Sequence, residues 1–301
     1  VVLLGTLLPL VHKELGLGSI SIGAPFFNQM FTLLIVPFVL FLGLGPLTRW
    51  KHQPASQVQK TLLIAFGLSV SAGVLINFTY DAPTYMAALG LVLSAWILIT
   101  TTLEVVQRVS AMDTSLSAFE RLRKLTPSHW GMILGHLGFA VTLIGITLVS
   151  NYEVERDVRM MPGESVTLSG YEFAFRKVEQ RNGPNYTADV GIFDVYESGD
   201  KLVHLEPEKR LYLVQRMPMT EAGIYSTIFR DLFIAMGEPL DDGAWAIRVY
   251  IKPFVTWIWA GAVIMAIGGI CSMSDKRYRM AKVAKVRTAV GGVATGEEVE
   301  A

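Results

Sequence analysis

The side chain best suited to chemistry in this sequence is a histidine in an apolar stretch. His136 is the one ionisable residue in residues 131–149, and ionisable side chains in membrane-length apolar stretches are costly enough to indicate a function. Gly131, Gly135 and Gly138 surround it and leave one helix surface nearly flat. Neutral imidazole is a usual axial ligand of haem iron. The same pattern fits a histidine hydrogen-bonded to a neighbouring helix, with the glycines serving close helix packing.

A second set of candidate residues is three arginines in the segment that leads from the β domain into the last predicted span. Arg216, Arg230 and Arg248 lie among apolar residues. Arginine forks suit carboxylates, so these side chains could contact haem propionates or a protein partner. The alternative, which the sequence favours, is contact with lipid phosphates together with internal pairing. The acidic residues available for that pairing are Asp231, Glu238, Asp241 and Asp242.

We expect structural rather than chemical roles for three further histidines and for one carboxylate. His129 adjoins Trp130 at the predicted end of a span, so we expect an anchoring role. His12 is expected at a membrane interface and His204 on the solvent face of a strand. Glu104 lies near the end of its span, where its side chain can reach the interface by snorkelling.

Composition excludes several classes of chemistry. Cys271 is the single cysteine, which rules out an internal disulfide, a CxxC redox pair and a thiolate zinc cage. The 26 basic and 26 acidic residues give a formal net charge of zero, so there is no electrostatic footprint for nucleic acid. The sequence shows no nucleophile–base constellation, phosphate-binding glycine loop or metal-spaced carboxylate set.

The elements that position these residues are predicted to be membrane helices. Charged residues make up 17% of the 301 residues, against about 25% in soluble domains. A spanning helix needs roughly 20 mostly apolar residues, and the first residues read as a helix that begins partway along. Five complete candidates follow it, at residues 24–47, 61–80, 85–106, 131–150 and 253–273.

Lysine and arginine distribution predicts the orientation of these spans. Cations concentrate in residues 48–60, 107–130 and 274–301, whereas the intervening short loops carry only Lys13. Because cytoplasmic loops carry the excess of Lys and Arg, we expect a cytoplasmic C-terminal tail. Residues 151–252 then lie on the outer side.

In residues 151–252, the pattern of apolar residues changes to an alternation with polar residues, a period of two. Val166 and Leu168, and then Tyr171, Phe173 and Phe175, alternate with polar residues. Further strands are expected on either side of a turn at Ser198-Gly199-Asp200, at 210–215 and at 245–251. Residues 220–239 are instead a candidate short helix near the membrane surface.

The predicted fold is a polytopic α-helical membrane protein with a small extracytoplasmic antiparallel β domain inserted before the last transmembrane helix. Its domains are transmembrane helices at 1–150 (the first one truncated, then four complete), a β-rich domain at 151–252, the last span at 253–273 and a tail at 274–301. The β domain is expected to be a partly open barrel or a sandwich.

Several long stretches resemble the CcmF family, the haem lyase components of bacterial cytochrome c maturation. They are "LLGTLLPLV", "LGLGSISIGAPFFN", "HWGMILGHLGFAVTLIGI" and "EKRLYLVQRMPMTEAGIYSTIFRDLFIAMGEPLDDGAWAIRVYIKPFVTWIW", closing in "SDKRYR". A paralogous family that serves nitrite-reductase cytochromes shares the pattern.

The resemblance implies a multi-pass protein of the bacterial inner membrane with its β domain in the periplasm. Such a protein would receive haem from the periplasmic chaperone CcmE and promote its covalent attachment to apocytochrome c, presented with a CcmH-type subunit. Family members also hold a haem b within the membrane, ligated by two histidines from different spans. His136 matches one of these iron ligands.

Other family features have no match in these residues. The tryptophan-rich segment, the outer haem-binding histidines and the second ligand of haem b are missing, so we expect that the chain alone is inactive and cannot assemble a complete haem site. The alternative function is a membrane transporter or channel subunit with His136 as a proton relay, and a third possibility is a scaffold without ligand. Against a relay, we expect no second ionisable group inside the spans.

Overall fold

A computed structural model of the protein describes residues 2–47, 55–80, 82–214 and 216–275. The chain forms two compact units, one containing Val141–Ala262 and the other containing the residues before and after that range. Most of the predicted cytoplasmic tail, residues 276–301, lies outside the described residues, as do Arg49 and Lys51 of the first basic loop.

The described residues form seven α-helices. They are α1 Val2–Glu14, α2 Ala24–Leu44, α3 Ala55–Asn77, α4 Tyr85–Ser110, α5 Ala118–Arg123, α6 Pro127–Tyr152 and α7 Val255–Met273. A 3₁₀ turn, Gly45–Leu47, extends α2. Among the described residues, five helices are long and apolar enough to cross a membrane: Ala24–Leu47, Gln59–Asn77, Tyr85–Ser110, Pro127–Tyr152 and Val255–Met273. The prediction of five complete spans is confirmed at this level of length and composition.

Glycines and one tryptophan bring α2, α3 and α4 together. The indole N–H of Trp96 on α4 donates to the Leu40 carbonyl of α2 at 3.2 Å. A Cβ at Gly43 would collide with that indole ring, so the glycine is required for the contact. A Cβ at Gly73 on α3 would lie 2.6 Å from a methyl carbon of Val92 on α4. Small residues therefore permit the close helix approach that membrane packing favours.

In the β domain, the described residues form ten strands in two sheets. The strands are β1 Val154–Met160, β2 Ser165–Leu168, β3 Tyr171–Asn182, β4 Tyr186–Glu197, β5 Asp200–Leu205, β6 Glu208–Tyr212, β7 Pro218–Glu221, β8 Gly223–Ser226, β9 Arg230–Pro239 and β10 Trp245–Pro253. One sheet has the order β1-β10-β9-β8 and the other β2-β3-β4-β6-β7, with β5 also paired to β4. The pairings are antiparallel throughout these strands.

The two sheets pack face to face around an apolar core. Phe173, Phe175 and Phe193 come from one sheet and Ile234 and Val249 from the other, and all five side chains are fully buried. Phe175 and Phe193 stack with their ring centroids 4.5 Å apart. Of the two predicted architectures, the domain is therefore a sandwich.

The prediction of a helix within residues 220–239 is wrong. This range contains β8, β9 and the end of β7. In β9, Leu232, Ile234 and Met236 are buried in alternation with more exposed neighbours. Apolar residues also occupy several exposed positions of the range, which hides this period of two in the sequence.

Two helices continue directly into neighbouring strands. One residue, Glu153, separates α6 from β1, and Phe254 separates β10 from α7. The strands β1 and β10 pair from Val154 opposite Ile251 onward. Phe254 makes the turn with a φ of 57°, a left-handed conformation that is uncommon for a bulky residue.

Candidate functional site

His136 lies on α6 with a carbonyl oxygen beside each ring nitrogen. Its Nδ1 is 2.8 Å from the Met132 carbonyl oxygen of the same helix, and its Nε2 is 3.3 Å from the Leu42 carbonyl oxygen of α2. The side chain is partly buried. A neutral imidazole has one N–H and can donate to only one of these oxygens.

The Leu42 carbonyl is available because of the sequence four positions further on. In an α-helix this oxygen would accept from the N–H of residue 46, and residue 46 is a proline without an N–H. Pro46 therefore ends the regular hydrogen bonding of α2 and leaves an acceptor facing α6. The interpretation of His136 as hydrogen-bonded to a neighbouring helix has this direct structural basis.

The glycines near His136 divide between packing and open space. A Cβ at Gly131 would lie 2.6 Å from the Gly268 carbonyl oxygen of α7, so that glycine serves helix packing. A Cβ at Gly135 would meet no atom within 4 Å. The helix surface next to His136 is thus unobstructed on the Gly135 side, as a planar ligand would require.

The residues present fit one axial ligand of a haem iron. A metal-binding histidine commonly donates its second N–H to a backbone carbonyl, and the shorter contact, from Nδ1 to Met132, can play that part. Nε2 is then the nitrogen with a free electron pair. Across the described ranges, no group of three or more His, Cys, Asp or Glu could hold a metal ion.

A second buried ionisable cluster lies near the start of α6. The Glu104 side chain is 5% exposed, with Oε1 2.7 Å from Arg108 Nε and Oε2 3.0 Å from His129 Nε2. The snorkelling expectation for Glu104 and the expectation of no second ionisable group in the spans are therefore wrong. The four-residue spacing to Arg108 was visible in the sequence, but His129 comes from a different helix.

The arginines predicted as site residues are separated from one another. Arg230 opposes Pro253 and Arg248 opposes Ala235 on the β9–β10 ladder, which places them about five residues or 17 Å apart. Arg216 is exposed in the turn between β6 and β7, which belong to the other sheet. The three side chains do not form one anion site.

Arg230 is part of a network with a tyrosine and a glutamate. Its Nη2 donates to Glu197 Oε1 at 2.8 Å, and its guanidinium lies 4.6 Å from the centre of the Tyr171 ring. The Tyr171 hydroxyl donates to the same Glu197 oxygen at 2.8 Å. Burial, reinforced by that hydrogen bond, raises the pKa of Tyr171 to about 12. The acidic partner differs from those expected, since Glu197 comes from β4 of the opposite sheet.

Arg248 lines a shallow groove on the outer face of the four-stranded sheet. The groove encloses about 650 Å³, with Ala235, Gly237 and Ala246 among its lining residues. Arg248 Nη2 donates to Asp157 Oδ2 at 2.9 Å, and Arg248 Nε lies 3.1 Å from Glu155 Oε1. This internal pairing already neutralises the charge of Arg248.

The remaining histidines occupy polar or exposed positions. His12 is partly buried, and its Nδ1 is 2.9 Å from the Gly18 carbonyl oxygen. His204 is exposed on β5, with Nδ1 2.9 Å from Asp194 Oδ1. The pKa of Asp194 is held well below its ordinary range by its hydrogen bond with Lys201, with further contributions from His204 and Arg176. The exposure of His204 agrees with its expected place on the solvent face of a strand, and the interface position of His12 stays a prediction.

Known proteins match both the β domain and most of the chain. Residues 151–253 match the family described as CcmF C-terminal beta-sandwich. Over 280 residues the chain is 46% identical to the cytochrome c-type biogenesis protein CcmF of Haemophilus influenzae, an alignment that covers 93% of this chain and 43% of that protein. Its identity to the cytochrome c-type biogenesis protein NrfE of the same organism is 32% over 279 residues, which cover 93% of this chain and 42% of that protein. Of these two relatives, CcmF is the more similar.

A solved structure shares the fold. The protein named "Cytochrome c Heme Lyase CcmF" matches with a TM-score of 0.70 at 20% sequence identity, over 91% of this chain and 43% of that chain. The chain spans less than half the length of the relatives it matches. Taken together, residues 151–253 form the CcmF C-terminal beta-sandwich, and 93% of the chain is similar to the cytochrome c-type biogenesis protein CcmF at 46% identity.

Proposed function

We propose that this chain forms part of a cytochrome c haem lyase, which receives haem from the periplasmic chaperone CcmE. The lyase promotes covalent attachment of that haem to apocytochrome c presented by a CcmH-type subunit. The name of the related protein CcmF and the β-sandwich match support this proposal. In this arrangement the β domain lies in the periplasm, the C-terminus is cytoplasmic and the helices cross the bacterial inner membrane.

Within that lyase, His136 is an axial ligand of a haem b, and the second ligand comes from a part of the protein outside this chain. When bound, haem b supplies a one-electron carrier. The observation that carries this assignment is the hydrogen bond from His136 Nδ1 to the Met132 carbonyl, because it leaves the Nε2 electron pair for iron. Met132 fixes the ring orientation, and Gly135 leaves room for a planar ligand.

The arginines of the β domain have a smaller part in this proposal. Arg230 and Arg248 are paired with carboxylates of the domain, so either would contact a propionate or a partner only by exchanging its present pairing. Arg216 is exposed at a turn and is the readiest of the three to meet a partner carboxylate.

A proton relay through His136 is the second candidate function, and the buried Glu104–His129 pair favours it. His129 precedes His136 by seven residues on the same helix, a separation of about 10 Å along the axis. Water molecules would be needed to carry a proton over that distance. Such a relay requires Glu104, whereas haem ligation does not.

The test is the absorption spectrum of the complete protein with His136→Ala. Loss or displacement of the Soret band is expected, because iron loses one ligand. His129→Gln is the matched control, since it alters a histidine of the same helix that already faces Glu104, and its spectrum should stay unchanged. An unaltered Soret band in His136→Ala would refute the ligand assignment. Loss of proton uptake in Glu104→Gln with a normal haem spectrum would favour the relay.

A further inference from the structure

The turn between β8 and β9 exposes two large apolar side chains at its tip. Ile228 is 64% exposed and Phe229 is 61% exposed. The turn is short, since β8 ends at Ser226 and β9 begins at Arg230. A single exposed apolar residue is ordinary. Two adjacent ones at the end of a turn form an apolar patch whose exposure to water is unfavourable.

Hydrogen bonds hold this turn in one conformation. The Thr227 hydroxyl donates to the Arg230 carbonyl at 2.7 Å and accepts from the Arg230 N–H at 3.1 Å. The backbone N–H of Thr227 donates to the same Arg230 carbonyl at 2.9 Å. These hydrogen bonds therefore fix the backbone conformation of the turn that carries the two apolar side chains.

The same turn is fastened to the first residues of α7. The Phe254 N–H donates to the Phe229 carbonyl at 2.9 Å, and the Thr256 hydroxyl donates to the Thr227 carbonyl at 2.8 Å. The Phe229 and Phe254 rings meet edge to face, with centroids 5.9 Å apart, and Phe254 meets Trp257 in the same way at 5.1 Å. A row of three aromatic rings thus runs from the turn onto the helix.

The position of the first residues of α7 determines the depth of the β8–β9 turn relative to a bilayer. Val255–Met273 is long and apolar enough to cross a membrane, and aromatic residues at the ends of such spans lie in the interfacial region. Because the β8–β9 turn packs on residues 254–257, its tip lies at the same level. A lipid surface is the apolar environment available there.

We propose that the β8–β9 turn is a membrane anchor, in which Ile228 and Phe229 insert into the interfacial region of the lipid bilayer. This contact would supplement the attachment of the β domain through α6 and α7. Arg230 follows directly and is partly exposed, so its guanidinium can reach lipid phosphates as it pairs with Glu197. The proposal requires that α7 crosses the membrane, but it is independent of haem binding.

Val214 provides a matched control on the other hairpin. It is 91% exposed at the turn after β6, and Tyr212 of that strand opposes Tyr186 at the start of β4. The far end of β4 is Glu197, which contacts Arg230 beside the proposed anchor. A strand of 12 residues separates the two ends by about 37 Å. Val214 is therefore an apolar, highly exposed residue about 37 Å along β4 from the turn that packs on α7.

The experiment uses single-cysteine variants of the complete protein in a Cys271→Ser background. Ile228→Cys, Phe229→Cys and Val214→Cys are each labelled with an environment-sensitive fluorophore. The proteins are reconstituted in vesicles of phosphatidylcholine and phosphatidylglycerol, with or without lipids that carry a doxyl quencher near the headgroup. Two anchor positions are tested because replacing Phe229 removes its ring contact with Phe254 and could disturb folding. Replacing Ile228 leaves that contact in place.

The labels at 228 and 229 are expected to emit at shorter wavelength in vesicles and to be quenched at least about twofold more than the label at 214, as for a side chain at the acyl boundary. Emission and quenching equal to those at position 214 would overturn the proposal. A shift to shorter wavelength without quenching would also overturn it, because protein and not lipid would then cover the turn. The Soret band of each variant reports haem binding separately, so a failed anchor and a failed haem assignment are distinguishable.

Discussion

At the scale of single residues, two carbonyl oxygens compete for the one proton of the His136 ring. The contact to Met132 is shorter than the contact to Leu42, which favours the tautomer protonated on Nδ1. The Nε2 electron pair then faces the Leu42 oxygen without a proton between them, an unfavourable arrangement. Iron could bind Nε2 only after the Leu42 oxygen moves away, because the 3.3 Å between the two atoms leaves no room for a metal ion. In the other tautomer, Nε2 donates to the oxygen that Pro46 leaves free, so the same contact also serves the purely structural role.

The buried carboxylate of Glu104 yields a prediction about stability. Glu104→Leu should lower the unfolding free energy by about 1–3 kcal/mol, because the buried His129 ring loses its partner. Thermal unfolding of the detergent-solubilised protein measures the change. Glu155→Gln, which removes an exposed partner of Arg248, is the control and should change stability by about 0–1 kcal/mol. Equal effects of both variants would contradict a structural role for the Glu104 pair.

The Tyr171 network predicts how the β domain responds to alkali. Burial raises the pKa of Tyr171 to about 12 from an ordinary value of 10.0, so folding favours the neutral phenol. That stabilisation is fully present below about pH 10 and is lost as the pH rises through the folded pKa near 12. Tyr171→Phe should lack this loss, in denaturant titrations followed by near-ultraviolet circular dichroism.

The control for this experiment is Tyr85→Phe, since Tyr85 is largely exposed at the start of α4. Its pH dependence should match that of the unmodified protein. Absorbance at 295 nm follows ionisation of the phenol directly. A Tyr171→Phe variant that loses stability over the same alkaline interval would contradict the assignment.

At the scale of elements, glycines decide where helices touch. Gly131 and Gly145 both face α7: a Cβ at Gly131 would reach the Gly268 oxygen, and a Cβ at Gly145 would lie 2.9 Å from the Ile258 nitrogen. Backbone atoms cannot move aside as a flexible side chain can. Gly135 lies between them on the same helix and has open space.

Alanine substitutions at these glycines should therefore change the free energy of unfolding in different directions. Gly131→Ala and Gly145→Ala are each expected to destabilise the protein by about 1–3 kcal/mol through overpacking. In the haem-free protein, Gly135→Ala should be neutral or stabilising by up to about 1 kcal/mol, because alanine is the better helix former. Thermal unfolding in detergent compares the three. Similar losses in all of them would contradict the close contact of α6 with α7.

Local patterns in the sequence predicted many of these elements. Alternation at Tyr171, Phe173 and Phe175 identified β3, and the turn at Ser198-Gly199 separates β4 from β5 as expected, with positive φ at both residues. Partners distant in sequence were not predictable in this way. The contacts of Glu104 with His129 and of Arg230 with Glu197 join elements whose approach depends on the whole fold. Only the residue type, a carboxylate in an apolar span, marked Glu104 as unusual.

At the scale of the whole molecule, the distribution of charged residues distinguishes the apolar helices from the β domain. The sequence predicts that this domain lies outside the cytoplasm, through the distribution of lysine and arginine. Glu172 is exposed on β3 and Ser115 is exposed in the loop between α4 and α5. These two positions are predicted to lie on opposite sides of the membrane.

Labelling of intact cells tests this orientation. In a Cys271→Ser background, Glu172→Cys should react with a membrane-impermeant maleimide in intact cells. Ser115→Cys should react only after the inner membrane is permeabilised. Reversed accessibility would show that the topology is inverted, and equal labelling of both positions in intact cells would contradict a sealed multi-pass arrangement.

The uninterrupted passage from α6 into β1 and from β10 into α7 has a mechanical consequence. Paired strands share hydrogen bonds along their length, so β1 and β10 hold the adjoining ends of α6 and α7 in one ladder. The nine residues of β10 span roughly 30 Å. A tilt of about 5° at its helix end would therefore carry the far end of β10 through about 3 Å.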